Sequence, residues 1–412
     1  MEKQKSKKPL IRFPEFKDGW KHVRLSELLE EAKKRNEDLK YDKNHVLSVS
    51  GEFGIVNQIK HLGRSYAGVS VHNYHVVETG DIVYTKSPLK ENPYGIIKLN
   101  KGESGIVSTL YAVYKLRKEN AIGEFLDNYF SLDVNTNRYL RPLVKKGAKN
   151  DMKINNAYVL HDRIFVPSLD EQKRISDFFE CLSNKILHLK KKRDFLTDYK
   201  KAIMQRIFSK EIRFRDKSGK AFPNWTAVTL GELTERVTQK NAENNLNVMT
   251  ISAQFGLISQ LEFFNKSVSS DDLTGYYLLS KNDFAYNRSY SVGYPVGAMK
   301  RLTRYDKGVV STLYICFRFK NKAHADFFEH YFESGKANKE IEKHTKEGAR
   351  NHGLLNIGVN DFFSIDVFMP CQEEQKRISD FMCAINEKLV SCQNQIDSHE
   401  AYKRGLLQQM FC

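Results

Sequence analysis

The octapeptide EQKRISDF occupies Glu171–Phe178 and returns unchanged at Glu374–Phe381. From 171 to 374 the offset is 203; a second pair, LSVSGEFGIVNQ at Leu47–Gln58 and MTISAQFGLISQ at Met249–Gln260, keeps an offset of 202, from 47 to 249. Copies held in register over nearly half of 412 residues are two domains and not a solenoid, whose units are roughly 20–50 residues long. A chain of this length can bury two such cores.

From the octapeptide onward, apolar residues recur at alternating spacings of four and three. In the first copy they are Ile175, Phe179, Leu182, Ile186, Leu189, Leu196, Ile203 and Ile207, with Arg193 and Lys200 taking two places on the stripe. In the second they are Ile378, Met382, Ile385, Leu389, Cys392, Ile396, Leu406 and Met410, with His399 and Lys403 as the polar members. This is a heptad stripe sustained over about five repeats. A helix from Glu171 to Phe208 is ~57 Å long at 1.5 Å per residue, too long for the interior of a compact domain. The two helices are therefore expected to cover each other's stripe. A pseudo-twofold relation between the copies lays them antiparallel, as an intramolecular coiled coil. Docking each helix on its own domain instead leaves most of each stripe uncovered.

Each copy opens with a Phe-Pro pair, a tryptophan and Leu-x-Glu-Leu, at Arg12–Leu28 and at Ile212–Leu233. Both tryptophans of the chain, Trp20 and Trp225, sit here and read as packing anchors. β-Branched and aromatic runs follow at Val46 (VLSVS), Asp81 (DIVYTK), Gly95 (GIIKL) and Ala112 (AVYKL), between Gly, Asn and Pro punctuation. Helical spacing appears from Gly123 to about Val134 and again from Ala325 to Phe332. The fold class is α+β, with two homologous globular domains and two long helices. The expected division is 1–168, first domain; 169–209, central helix; 210–370, second domain; 371–412, C-terminal helix. FSKEIRF at Phe208–Phe214 leads the first helix into the second domain, and SKKPLIRF from Ser6 resembles what would follow the final QMFC. A cyclic arrangement with neighbouring termini is expected.

The 66 basic and 50 acidic side chains give a net charge of +16, which favours a polyanionic partner, nucleic acid first, over an excess of Lys on solvated faces. No run approaches the ~18 apolar residues of a spanning helix, and the opening MEKQKSKKP is not followed by an apolar signal core. A cytoplasmic protein without membrane association is expected. Six cysteines, at 181, 316, 371, 383, 392 and 412, form no CxxC pair and read as reduced thiols.

Catalytic signatures are missing. There is no GxGxxG, Walker A loop or HExxH, and Asn92-Pro93-Tyr94 is one proline short of a base-methyltransferase motif. Its counterpart is Tyr294-Pro295-Val296. His72 and His75 in HNYH have no equivalents in the second copy, which favours a packing or surface role over metal binding. Between Lys185 and Arg206 there are eight basic and two acidic residues, against three and two in Lys388–Gln409, so the Lys190–Arg193 run reads as a solvated face or a protein contact.

Polar and basic segments shared by the copies are the candidate DNA contacts. Lys86 and Ser87 correspond to Arg288, Ser289 and Tyr290, each set directly after a strand. Ser108 and Thr109 in GIVSTLY correspond to Ser311 and Thr312 in GVVSTLY, where a structural Ser-Thr turn is an equal alternative. Lys145, Lys146, Lys149 and Asn150 in KKGAKN correspond to Lys346, Arg350 and Asn351 in KEGARN. Lys and Arg suit phosphate and guanine, Asn suits adenine, and a glycine lets the loop approach a phosphate closely.

These pieces together resemble the specificity subunit of Type I restriction-modification systems. The resemblance rests on DEQKRISDF and EEQKRISDF after VPSL and MPCQ, on YKKAIMQRIF and YKRGLLQQMF at the helix ends, and on IRF…FPNW from Ile212. It covers the whole chain and its two-copy layout. It implies two target recognition domains, each reading half of a split, asymmetric site in double-stranded DNA, with the helices as a spacer between half-sites about one helical turn, ~34 Å, apart. It further implies two modification subunits and two restriction subunits as partners, which bind the S-adenosylmethionine, ATP and Mg; no cofactor belongs to this chain. The alternatives are a stand-alone or fused site-specific methyltransferase or nuclease, and a scaffold that does not bind DNA.

Overall fold

The computed structural model describes residues 6–411 except 69, 90, 147–151, 253–255, 266–271, 291–292, 346–354 and 356. The chain forms two compact units: residues 1–190 with 394–412, and residues 191–393. These boundaries fall inside the two long helices, because each half-helix packs into the globular domain beside it.

In the first unit a four-stranded antiparallel sheet runs in the order Leu29–Glu31, Tyr111–Leu116, Ile82–Thr85, Ile96–Leu99. Its central strands read as nearly continuous apolar runs because both faces are covered. Ile82, Tyr84, Ala112 and Tyr114 enter the main core with Phe125 and Leu126 of the helix Gly123–Phe130. Val83 and Val113 point the other way, onto Val77, Val107 and Leu47 of two smaller strand pairs. The second unit repeats this with Thr234–Arg236, Ile315–Phe319, Phe284–Asn287 and Ala298–Arg301. Phe284, Tyr286 and Phe317 face Phe327 and Phe328 of the helix Lys322–Glu333, and Ala285 and Cys316 face the opposite layer.

One helix differs from expectation. The periodicity predicts a helix from Gly123 to about Val134, but it stops at Phe130 and a second one spans Asp133–Leu140. Asn135 Nδ2 and Thr136 Oγ1 donate to the Tyr129 and Phe130 carbonyls, at 3.3 and 2.6 Å, and so satisfy acceptors that a helix end leaves free.

The long helices span Leu169–Phe208 and Gln372–Met410. Within each unit their halves run antiparallel. In the first unit Lys403 Nζ donates to Ser183 Oγ at 2.7 Å and Lys190 pairs with Glu400 at 2.7 Å, so rising numbers on one helix meet falling numbers on the other. In the second, Arg193 donates to Gln393 at 3.2 Å. Ile175, Phe179, Ile186, Leu189, Ile207, Ile378, Met382, Ile385, Cys392, Ile396, Leu406 and Met410 are buried. Leu182, Arg193, Leu196, Lys200, Ile203, Leu389, His399 and Lys403 are half-buried. The stripe is thus the covered face throughout. Burial lowers the Lys200 and Lys403 ammonium pKa values, as expected for charges on that face. Two members of the basic run, Lys190 and Arg193, reach across to the other helix; Lys191 and Lys192 are exposed.

Each helix start is locked in the same way. Glu171, 1% exposed, accepts both arms of Arg12 at 2.6 Å and Trp20 Nε1 at 3.3 Å. Glu374, fully buried, accepts Arg213 at 3.1 and 2.6 Å and Trp225 Nε1 at 3.3 Å. Each unit also receives the phenylalanine that ends the opposite long helix. Phe411 packs edge-on to Trp20 at 6.1 Å and beside Phe125 at 5.3 Å; Phe208 does the same with Trp225 at 6.2 Å and Phe327 at 5.5 Å. The Ile11 amide donates to the Gln409 carbonyl at 3.0 Å, as Ile212 does to Arg206 at 3.1 Å. The SKKPLIRF segment therefore follows the second helix in space as SKEIRF follows the first in sequence.

Candidate nucleic-acid interface

The expected contact segments lie at strand ends, and hydrogen bonds bring several together. In the first unit Lys86 and Ser87 follow the strand Ile82–Thr85, and Ser108 and Thr109 follow the strand Gly105–Val107. The Lys86 amide donates to the Leu110 carbonyl at 3.2 Å, which sets the two loops side by side. Ser108 Oγ accepts from the Leu110 amide at 3.4 Å, so the Ser-Thr pair shapes a turn whose Leu110 side chain is exposed. Lys86 is half-buried, and burial lowers its pKa. Behind it lies His75, buried on the strand His75–Val77, its Nδ1 without a hydrogen-bond partner among the described residues. Desolvation, with the charges of Arg35 and Lys86, holds this imidazole near pKa 4 and so neutral at pH 7. His72 is exposed and meets Asn73. Among the described residues no cluster of three or more His, Cys, Asp or Glu could hold a metal.

In the second unit three segments meet. Arg288 donates to the Leu313 carbonyl at 3.0 Å and to the Ile357 carbonyl at 3.4 Å, while the Leu355 amide donates back to the Arg288 carbonyl at 2.9 Å. The guanidinium thus pins the loops after Asn287 and Val310 to the chain beyond the GARN segment. Arg288 is a loop clamp here, which its place after a strand did not reveal. Ser289 donates its amide to Asn287 Oδ1 at 3.1 Å, Ser311 Oγ accepts the Leu313 amide at 3.3 Å, and Tyr290 is 61% exposed beside them. Thr109 is exposed and Thr312 is exposed. Lys145 and Lys146 form a short strand with Met152–Lys153. Lys149, Asn150, Lys346, Arg350 and Asn351 lie outside the described residues.

The Asn92-Pro93-Tyr94 segment is a turn. Tyr84 Oη donates to the Tyr94 carbonyl at 2.8 Å and Gly95 follows at φ +88; Tyr286 Oη donates to the Val296 carbonyl at 2.6 Å and Gly297 follows at φ +83. The copies keep the geometry and not the residues, because what the turn requires is a tyrosine hydroxyl from the strand and a glycine.

The repeated stretch that begins at Leu47 and Met249 keeps one frame in the two units. Hairpins Leu47–Ser50 with Gly54–Asn57 and Met249–Ser252 with Gly256–Ser259 each lead into a five-residue helix, Gln58–Leu62 or Gln260–Phe264. The Gln58 amide donates to the Val46 carbonyl at 2.9 Å, and the Gln260 amide to the Val248 carbonyl at 2.8 Å. The exposed apolar side chains on the short helix differ, Leu62 in one unit against Leu261, Phe263 and Phe264 in the other, whereas the exposed Phe53 corresponds in sequence to Phe255, which lies outside the described residues. Looking only for residues kept in both copies passes over these positions. The signal that finds them is the opposite one, a kept backbone with changed exposed side chains.

The class defined by this geometry is a pair of α+β domains, each closed by half of two long antiparallel helices. No protein-family model matches the chain, and no curated protein matches it in sequence. Solved structures share its fold. Over 98% of its length the chain is similar to a chain, itself 98% covered, in a structure concerned with complex assembly and conformational transition of the type I R-M system, at 17% identity and a TM-score of 0.51. The Type-I restriction-modification system S subunit from M. genitalium aligns over 98% of this chain and 99% of its own, at 12% identity and a TM-score of 0.54. The HsdS subunit from Thermoanaerobacter tengcongensis aligns over 97% and 98%, at 16% identity and a TM-score of 0.47. Among the described residues no helix is long and apolar enough to cross a membrane.

Proposed function

We propose that this chain is the DNA-recognition subunit of a Type I restriction-modification complex. It reads a bipartite, asymmetric site in double-stranded DNA, one half with each domain, and the long helices set the interval between the halves. Two modification and two restriction subunits dock on it and supply the S-adenosylmethionine, ATP and Mg chemistry. The chain itself performs no catalysis.

The observation that carries this reading is the duplicated frame with unlike exposed surfaces. Arg12–Glu171–Trp20 and Arg213–Glu374–Trp225 hold each domain to its helix in the same way, while the hairpin-helix segments expose different side chains. One frame with two surfaces suits two unlike half-sites. The net charge of +16 fits a polyanion. Co-expression with a modification subunit, followed by methylation mapping of the host genome, tests the reading. A split, asymmetric methylation motif that depends on this chain is the expected result, and no new motif rejects it. Methylation or cleavage by the purified chain alone would make it an enzyme instead. DNA binding by the assembled complex that is unchanged by Lys149→Ala and Arg350→Ala together would favour a scaffold.

A further inference from the structure

In the first unit the short helix Gln58–Leu62 is capped at its start by Asn57, whose Oδ1 accepts the Ile59 and Lys60 amides at 3.0 and 3.1 Å. The chain leaves it at Gly63 and passes through Arg64-Ser65-Tyr66. This exit is pinned by one side chain. Gln58 Oε1 accepts the Tyr66 amide at 2.8 Å, and Gln58 Nε2 donates to Ser48 Oγ at 2.7 Å on the neighbouring strand. Tyr66 is 60% exposed, and the Arg64 guanidinium lies over its ring, 4.6 Å from the centroid.

Arg64 differs from the charge beside it. Lys60 is paired with Glu103 at 3.0 Å, whereas no carboxylate among the described residues lies within ion-pair distance of Arg64. Stacking on a tyrosine restricts the guanidinium plane and leaves its donor fork open. A planar fork held at a fixed site is the group that pairs with O6 and N7 of guanine in the major groove. In the second unit Asn265 takes the place of Gly63 at the helix end, so the sequence counterpart of Arg64 is Lys266, a residue without the planar fork that lies outside the described residues.

We infer that Arg64, held over the Tyr66 ring, reads a guanine in the half-site taken by the first domain. This rests on the recognition reading above, which it deepens by naming a reader and the base it reads. Tyr66 is a positioning residue, and only Arg64 touches the base.

The test uses the complex of the full chain with its modification subunit, once methylation mapping has given the site. Competition binding then compares duplexes that differ from the site at one base pair in either half. Arg64→Ala is expected to reduce discrimination about 10- to 100-fold at a single G·C pair of one half-site and to leave the other half unchanged. Arg64→Lys, which keeps charge without the fork, does not restore it. Tyr66→Phe keeps the discrimination and Tyr66→Ala weakens it. Unchanged discrimination in Arg64→Ala overturns the inference, whether or not overall affinity falls; a uniform fall that Arg64→Lys restores assigns the residue to a phosphate. A bipartite motif unchanged at every position in Arg64→Ala rejects only the guanine assignment, whereas a wild-type complex that writes no bipartite motif rejects the recognition reading itself.

Discussion

Phe411→Ala and Phe208→Ala probe how each unit is closed. Phe411 is 7% exposed and meets four aromatic rings, Trp20, Phe125, Tyr129 and Phe179, at centroid distances of 6.1, 5.3, 6.1 and 6.2 Å. Truncating a buried phenylalanine costs about 3–5 kcal/mol, and each favourable ring pair adds ~0.5–1.5 kcal/mol beyond its burial, so the upper part of that range is expected. In a unit of roughly 200 residues, 1 kcal/mol moves the midpoint by about 2–4 °C, which predicts a drop on the order of 10–20 °C for the unit concerned. Calorimetry reads the drop, and peptide-resolved hydrogen exchange locates it. Phe411→Ala is expected to speed exchange in Trp20–Arg24 and Gly123–Phe130, and Phe208→Ala in Thr226–Thr229 and Lys322–Glu333. A loss below ~1 kcal/mol, or equal loosening of both units by either variant, would refute the idea that each unit is closed by the phenylalanine at the end of the opposite helix.

Ile186→Asp puts a carboxylate on the covered stripe at a site 7% exposed and is expected to cost several kcal/mol, about 3–5, in urea unfolding, with a smaller loss for Leu389→Asp, which is half-buried. Gly95→Ala and Gly297→Ala place a Cβ 2.0 and 2.2 Å from the Thr85 and Asn287 carbonyl oxygens at positive φ, so each is expected to lower the midpoint of its own unit, whereas Gly219→Ala, with open space around its Cβ, meets only the φ penalty of ~1 kcal/mol. His75 and His330 are buried and held near pKa 4 against 6.5 when unfolded, so between these values the unfolded chain binds more protons. Stability is therefore full above pH 6.5 and falls towards pH 4, by up to about 3 kcal/mol per histidine. The Glu329 carboxyl, raised by burial, works in the opposite sense beside His330. His330→Gln should flatten the acid arm of the second unit in a pH series of urea midpoints; an unchanged slope would refute the linkage.

The helices were the most legible part of this chain because a heptad stripe is periodic over many turns and both copies carry it. The strands were legible for a related reason: Ile82, Val83 and Tyr84 are all apolar because the sheet is covered on both faces. The break after Phe130 was not, since it depends on where Asn135 and Thr136 send their side chains, and both residues also occur inside helices. The candidate interface was legible only as segments. That the loops at Lys86 and Leu110 touch follows from sheet order, and Arg288 Nη1 and Nη2 donate to Ile357 and Leu313 because tertiary structure delivers those carbonyls.

Comparing the copies in three dimensions separates what duplication constrains from what it frees. The Arg–Glu–Trp lock, the terminal phenylalanine and the tyrosine-to-carbonyl turn each recur with matching partners, because each closes a core or satisfies a buried polar group, and a change at any of them costs stability in its own unit. The exposed face of the hairpin-helix segment carries no such cost. Its backbone is held by the amides of Gln58 and Gln260, so the exposed side chains at 61 and 62, or at the corresponding 263 and 264, can change without disturbing the frame. A protein that must read two unlike half-sites with one fold needs this separation. It predicts that exchanging these exposed residues between related frames changes which DNA is read while leaving unfolding midpoints within about 0.5 kcal/mol of the parent, the range of ordinary surface substitutions.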